Sequence, residues 1–153
     1  MQEVITKEPP HKTAILEASA QFIEDEAKRK FGEYQVAAGP YPAWQPLAES
    51  TKADRVRQGF EPDNPLYRTG YLMNSIKYKV KGNEAVVGSD SDIMVYQELG
   101  TATIPARPVL GPAAFQSKQK IKKIVVEGVT AWLTGKPPIK KNNLPRINNT
   151  NEG

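Results

Sequence analysis

The chain has 153 residues, 39% of them hydrophobic and 25% charged, which suits one soluble domain with a real core and generous loops. It contains no cysteine, so disulfides, thiolate chemistry and cysteine-based metal sites are excluded, in keeping with a reducing compartment. The net charge is +4, and most of the excess falls after residue 134, where Lys136, Lys140, Lys141 and Arg146 are opposed by Glu152 alone. Such a basic end either touches nucleic acid or an acidic partner or is a solvated, disordered tail.

Residues 1–11 read as a loose lead-in, with Pro9-Pro10 barring a helix there, and they lack the apolar core of a signal peptide. No apolar run is long enough to cross a bilayer, so a soluble protein, cytoplasmic where it is made, is expected. From Thr13, a plausible N-cap, Ile15, Ala18, Phe22, Ile23, Ala27 and Phe31 recur at three- and four-residue steps, which predicts a packing helix over 13–31 with Gly32 as its stop. The loop 33–46 sets Tyr41 and Trp44 between prolines, where rings cover a core edge or meet a neighbouring subunit. A short polar helix over 47–59 has a thin apolar face (Leu47, Ala53, Val56) and is expected to be peripheral.

Ile76, Tyr78 and Val80 alternate with Lys77, Lys79 and Lys81, Gly82-Asn83 turns the chain, and Ala85 to Gly88 returns. That pattern predicts a hairpin over 75–89 with one wet face. Residues 93–99 form a short helix or a strand; the pattern does not choose. Gly100 and the prolines of 104–112 then make a stiff extended strap carrying one cation, Arg107. Pro112 suits the first position of a helix over 112–133, with Phe115, Ile121, Ile124, Val125, Gly128, Val129 and Trp132 as its apolar stripe. Lys118, Lys120, Lys122, Lys123 and Glu127 take the opposite face. Gly135 and Pro137 end it.

Sites that announce an enzyme are missing. His11 is the lone histidine and lies in the lead-in, which disfavours a catalytic triad or a histidine metal site. No phosphate-binding glycine loop is present. Asp90 and Asp92 lack the further spaced oxygens of a calcium loop. Glu98 beside Gly100 is a conceivable base without a supporting second group. Arg68 and Arg107 could grip phosphate or carboxylate, or serve an interface or an internal ion pair. The residues therefore point to no catalytic, cofactor-binding or metal site. Lys118, Lys120, Lys122 and Lys123, with the basic end, support a second reading as a nucleic-acid-binding accessory protein, whose contacts would be salt-sensitive and sequence-blind. Against a third, a small hydrolase, stand the single histidine and the lack of motifs.

Five pieces occur in order: Trp44-Gln45-Pro46-Leu47 with Ser50-Thr51; Leu66-x-Arg68-Thr69-Gly70-x-Leu72-x-x-Ser75-Ile76; Val86-Val87-Gly88; Tyr96-Gln97-x-x-Gly100-Thr101; and Ile104-Pro105-Ala106-Arg107-Pro108-x-Leu110-Gly111. Over residues 44–133 the chain thus resembles the virion-morphogenesis and minor tail-component proteins of tailed bacteriophages, often called tail-completion or neck proteins. It departs from their pattern at Val109, where an aromatic residue is common, and at Gln97, where alanine is common.

The resemblance implies a structural virion protein, found in the tail or neck and in the host cytoplasm during assembly. It would form a ring, of six subunits, that completes the head-proximal end of the tail for head–tail joining. Its implied partners are other copies of itself, a tail tube or tail terminator protein and head–tail connector proteins, with non-specific contact to packaged DNA and none to membrane. Trp44, Tyr67, Arg68, Arg107 and Pro108 are the candidate interface residues. The expected fold is α+β, an antiparallel sheet around the central hairpin with the two main helices packed on one face. The expected division is a lead-in over 1–11, one domain over 12–134 and a basic disordered tail over 135–153.

Overall fold

The computed structural model describes residues 10–140; the predicted flexible lead-in and basic tail therefore lie mostly outside the described residues. The fold is α+β, with six helices and a two-stranded antiparallel sheet among the described residues, and it is arranged around its first helix. Helix α1 spans Pro10–Arg29. It starts three residues before the predicted Thr13 cap, because a proline in the first helical turn gives up an N–H that has no intrahelical partner and brings a φ already suited to the helix. Ala18, Ala20, Phe22 and Ala27 are buried along it, and the small alanines let neighbours approach on more than one side.

Helix α2 (Glu49–Arg57) and the single-turn α3 (Tyr71–Asn74) precede the hairpin. Strands β1 (Ile76–Lys81) and β2 (Glu84–Ser89) pair from Ile76↔Ser89 to Lys81↔Glu84, as the alternation predicts. Ile76 is fully buried and Tyr78 and Val80 partly so, whereas Lys77, Lys79 and Lys81 are exposed on the other face. The ambiguous 93–99 segment is helical: α4 spans Asp92–Leu99, with Asp92 in the first turn, where a carboxylate favours the helix dipole.

The predicted final helix is two helices, α5 (Leu110–Gln116) and α6 (Lys118–Leu133). It begins two residues before Pro112, and it breaks at Ser117. The buried Ser117 hydroxyl donates to the Ala113 carbonyl at 2.6 Å, the same oxygen that its own backbone N–H reaches at 3.1 Å. A serine bonding back in this way competes with the helix ladder and bends it. The two main helices are stacked in series. Helix α1 lies on both strands, while α6 packs chiefly on α1.

Two apolar clusters result. One gathers Ala27, Phe31, Trp44, Ile76, Met94, Val109 and Ala113 at the C-terminal end of α1. The other joins Ala18 and Phe22 of α1 to Ile124 of α6, with Ile15 and Ile139 beside them. Gly128 permits this second contact, since a Cβ there would lie 2.2 Å from Ile15 Cγ1. The closeness narrows the buried stripe of α6 to Ile124, Gly128 and Ala131, with Ile121 partly covered. Phe115, Val125, Val129 and Trp132, predicted as core, are exposed to between 36% and 48% because α1 covers only one side. His11 joins the same end of the molecule. Its Nε2 lies 2.8 Å from the Lys136 carbonyl and its ring stacks on Trp132.

Candidate functional site

The stretch from α4 to α5 is held by a set of polar bonds whose geometry follows from backbone groups that need partners. Gly100 ends α4 with φ +74 and ψ 169, a conformation that only glycine adopts without strain. A Cβ there would sit 2.9 Å from the Ala106 nitrogen, because the chain folds straight back on itself. The Thr101 hydroxyl accepts from Ile104 N–H at 3.1 Å and closes the polar turn. The Arg107 N–H then donates to the Gln97 carbonyl at 2.7 Å, tying the returning strap to α4.

Arg107 and Trp44 stitch the strap to the proline-rich loop in both directions. Arg107 Nε donates to the Gln45 carbonyl and its Nη2 to the Pro46 carbonyl, both at 3.0 Å. Trp44 Nε1 donates to the Pro108 carbonyl at 3.0 Å. Prolines interrupt both segments and remove the N–H donors that a sheet ladder would use, so side chains supply them instead. Arg107 is 5% exposed, and burial lowers its pKa from the ordinary arginine value. Its charge is held by carbonyl dipoles and by no carboxylate among the described residues.

Glu98 completes the arrangement. One carboxylate oxygen accepts from Val109 N–H at 2.7 Å and Leu110 N–H at 3.0 Å, and the other from Gly111 N–H at 2.7 Å. A helix start leaves four N–H groups without intrahelical partners. At α5 Glu98 satisfies three, and Pro112 has none to satisfy. The carboxylate considered as a base from sequence is therefore a capping group with both oxygens engaged.

Arg55 is a related feature that sequence reasoning missed. It is the buried residue of the otherwise polar α2, and its Nη1 donates to the carbonyls of Glu61 at 3.2 Å and Tyr67 at 2.8 Å. Burial, then the neighbouring Arg68, lowers its pKa. Next to this anchor Leu66 holds φ +60, the one positive φ outside glycine among the described residues. No periodicity marks such an arginine, because its partners are carbonyls of an irregular loop.

The five candidate interface residues do not form one surface. Trp44, Arg107 and Pro108 are buried and bonded within the subunit, Tyr67 is half-buried against the first cluster, and Arg68 is exposed. Arg68 Nη1 donates to Gln58 at 3.0 Å, and its guanidinium lies over the Phe60 ring. Arg55, Arg68 and Arg107, with Leu66, Tyr71 and Ile93, border a groove of about 670 Å³ that no acidic side chain lines. The four lysines lie elsewhere. Lys118, Lys122 and Lys123 are exposed on α6 and Lys120 is half-covered, with Lys118 Nζ 4.8 Å from the centre of the Phe115 ring.

Among the described residues no three His, Cys, Asp or Glu side chains cluster as metal ligands. No helix there is long and apolar enough to cross a membrane. What the geometry does chemically is brace backbone. A family model described as the phage virion morphogenesis family matches residues 1–130. No curated protein and no solved structure matched the chain.

Proposed function

The chain belongs to the phage virion morphogenesis family, and on that premise we propose that it completes the head-proximal end of the phage tail by assembling into a ring. The family membership makes it a virion-associated protein with a structural, assembly role. The finer reading is a non-enzymatic neck or tail-completion subunit. It would contact further copies of itself, a tail tube or terminator protein and head–tail connector proteins.

The observation that carries this reading is the match of the family over residues 1–130. Two structural features support it. The charged groups of the strap are spent on holding the subunit in one shape, which keeps the entropy lost on assembly low. Large apolar side chains also remain exposed on α4 and α6. The test is to produce virions with and without the chain. In its absence, filled heads and finished tail tubes should accumulate unjoined in electron micrographs, and purified protein added to tubes should cap one end. Joined virions in its absence would sink the reading. DNA binding with a steep salt dependence, together with indifference to tubes, would favour the nucleic-acid reading, for which the exposed Lys118, Lys122 and Lys123 are the observation.

A further inference from the structure

Of the exposed large apolar side chains, several are grouped on each of two helices, α4 and α6. On α4, Val95 and Tyr96 are each 49% exposed and Leu99 75%, while Met94 alone is buried. On α6, Val126, Val129 and Leu133 make a second outward stripe, with Leu133 at 80%. Grouped apolar exposure of this kind marks interaction surfaces, whereas single exposed residues do not.

The two faces carry opposite charge. Asp90 and Asp92 are exposed at the start of α4, and Lys118, Lys122 and Lys123 at the start of α6. None of the five makes an ion pair among the described residues. The helical spacing matches as well. Asp92, Tyr96 and Leu99 follow one another at the steps of Lys122, Val126 and Val129, so the two helices laid parallel bring acid to base and apolar to apolar.

Within one subunit the two faces belong to helices that pack at different places along α1. Met94 of α4 belongs to the cluster around Ala27 and Phe31 at one end of α1. Gly128 of α6 lies on Ile15, and Trp132 stacks on His11, at the other end. At about 1.5 Å rise per residue, the α1 partners of α6 run from Phe22, within about 10 Å of Ala27, to His11, about 24 Å from it. A patch that finds its complement on a different face of the same molecule makes a head-to-tail contact between copies, which closes into a ring when its rotation allows.

We propose that the occupant of each face is a second copy of this chain, with the outer face of α6 docked on α4 of the next subunit. The pairing rests on the assembly role proposed above and specifies its contact. It sets Lys122 against Asp92, Val126 against Tyr96 and Val129 against Leu99.

The chain has no cysteine, so a cross-linking test has no background. Asp92→Cys and Lys122→Cys are introduced into the full chain singly and together, and oxidised both as purified protein and inside cells assembling virions. Mixed single variants should give the 92–122 cross-linked dimer, and the double variant a ladder of multimers in virions. Lys122→Cys joined only to itself, or shielded from a maleimide in the free protein, overturns the pairing. So does the absence of cross-links in virions whose heads and tails still join, an outcome that leaves the proposed function standing. Normal virions without any copy of the chain overturn both. As a check independent of cysteine, Lys122→Glu should cut assembly at least tenfold with an unchanged circular dichroism spectrum, and adding Asp92→Lys should restore it. No rescue by the double reversal counts against the pairing.

Discussion

The strap and the last helix invert the usual placement of residue types. Around the strap, Arg107 and the α4 residue Glu98 are turned inward, and every bond they make is to backbone. On α6, Val126 and Leu133 are turned outward at 64% and 80% exposure. A buried charge is tolerable where it meets several dipoles, and an irregular chain broken by prolines offers carbonyls and N–H groups in need of partners. An exposed apolar stripe costs the isolated subunit little, and grouped apolar exposure is a mark of interaction surfaces. The strap therefore concerns the fold, and the α6 face is where the proposed contact between copies falls.

The sharpest break is expected at Glu98. Glu98→Gln keeps one accepting oxygen but turns an NH2 group on at least one of the three N–H donors, and should cost about 3 kcal/mol in urea unfolding. Glu127→Gln on the exposed side of α6 should stay within about 0.5 kcal/mol. Arg107→Met follows, losing about 2 kcal/mol because the Gln45 and Pro46 carbonyls are left without donors. Arg68→Met, at an exposed site, should cost less than about 1 kcal/mol. Equal losses at the two arginines would dissolve the distinction between inward and outward cations.

Gly100→Ala comes next, at about 1–3 kcal/mol, since neither the left-handed backbone nor the Ala106 nitrogen can give way. Leu133→Ser should leave thermal unfolding of the monomer within about 0.5 kcal/mol while weakening self-association in sedimentation. The smallest effect belongs to Lys30. Burial, opposed by Glu26, lowers its pKa, so the folded state holds this proton less tightly than the unfolded chain does. Its cost is present in full below the folded pKa. It is relieved as pH rises from there toward the free-lysine value, a gain that Lys30→Met should abolish.

Sequence and structure agree where a residue answers to its near neighbours. The hairpin was legible because alternation over six residues and a Gly-Asn turn settle register locally. The first helix was legible from its period, and so was the stripe Ile124 and Gly128. Excess width in that stripe, through Val125, Val129 and Trp132, came from reading an apolar residue as a buried one. The break at Ser117 was hidden because it depends on one hydroxyl choosing the Ala113 carbonyl over solvent. Of the candidate residues, Arg107 and Trp44 were noticed for their setting among prolines, yet their partners lie some sixty residues away along the chain and left no pattern to read.

The amino-acid sequence by itself determined the α+β class, the hairpin, the main helices, the stiffness of the strap and the resemblance to phage virion-morphogenesis proteins. These follow from periodicity, proline geometry and ordered motifs, all of which are local or cumulative. Tertiary structure alone decided that Glu98 caps α5, that Arg107 and Arg55 hold loop carbonyls, and that the apolar excess of α6 faces outward. Those outcomes depend on which unpaired backbone groups and which helix faces meet when distant segments pack, and no spacing along one chain records that.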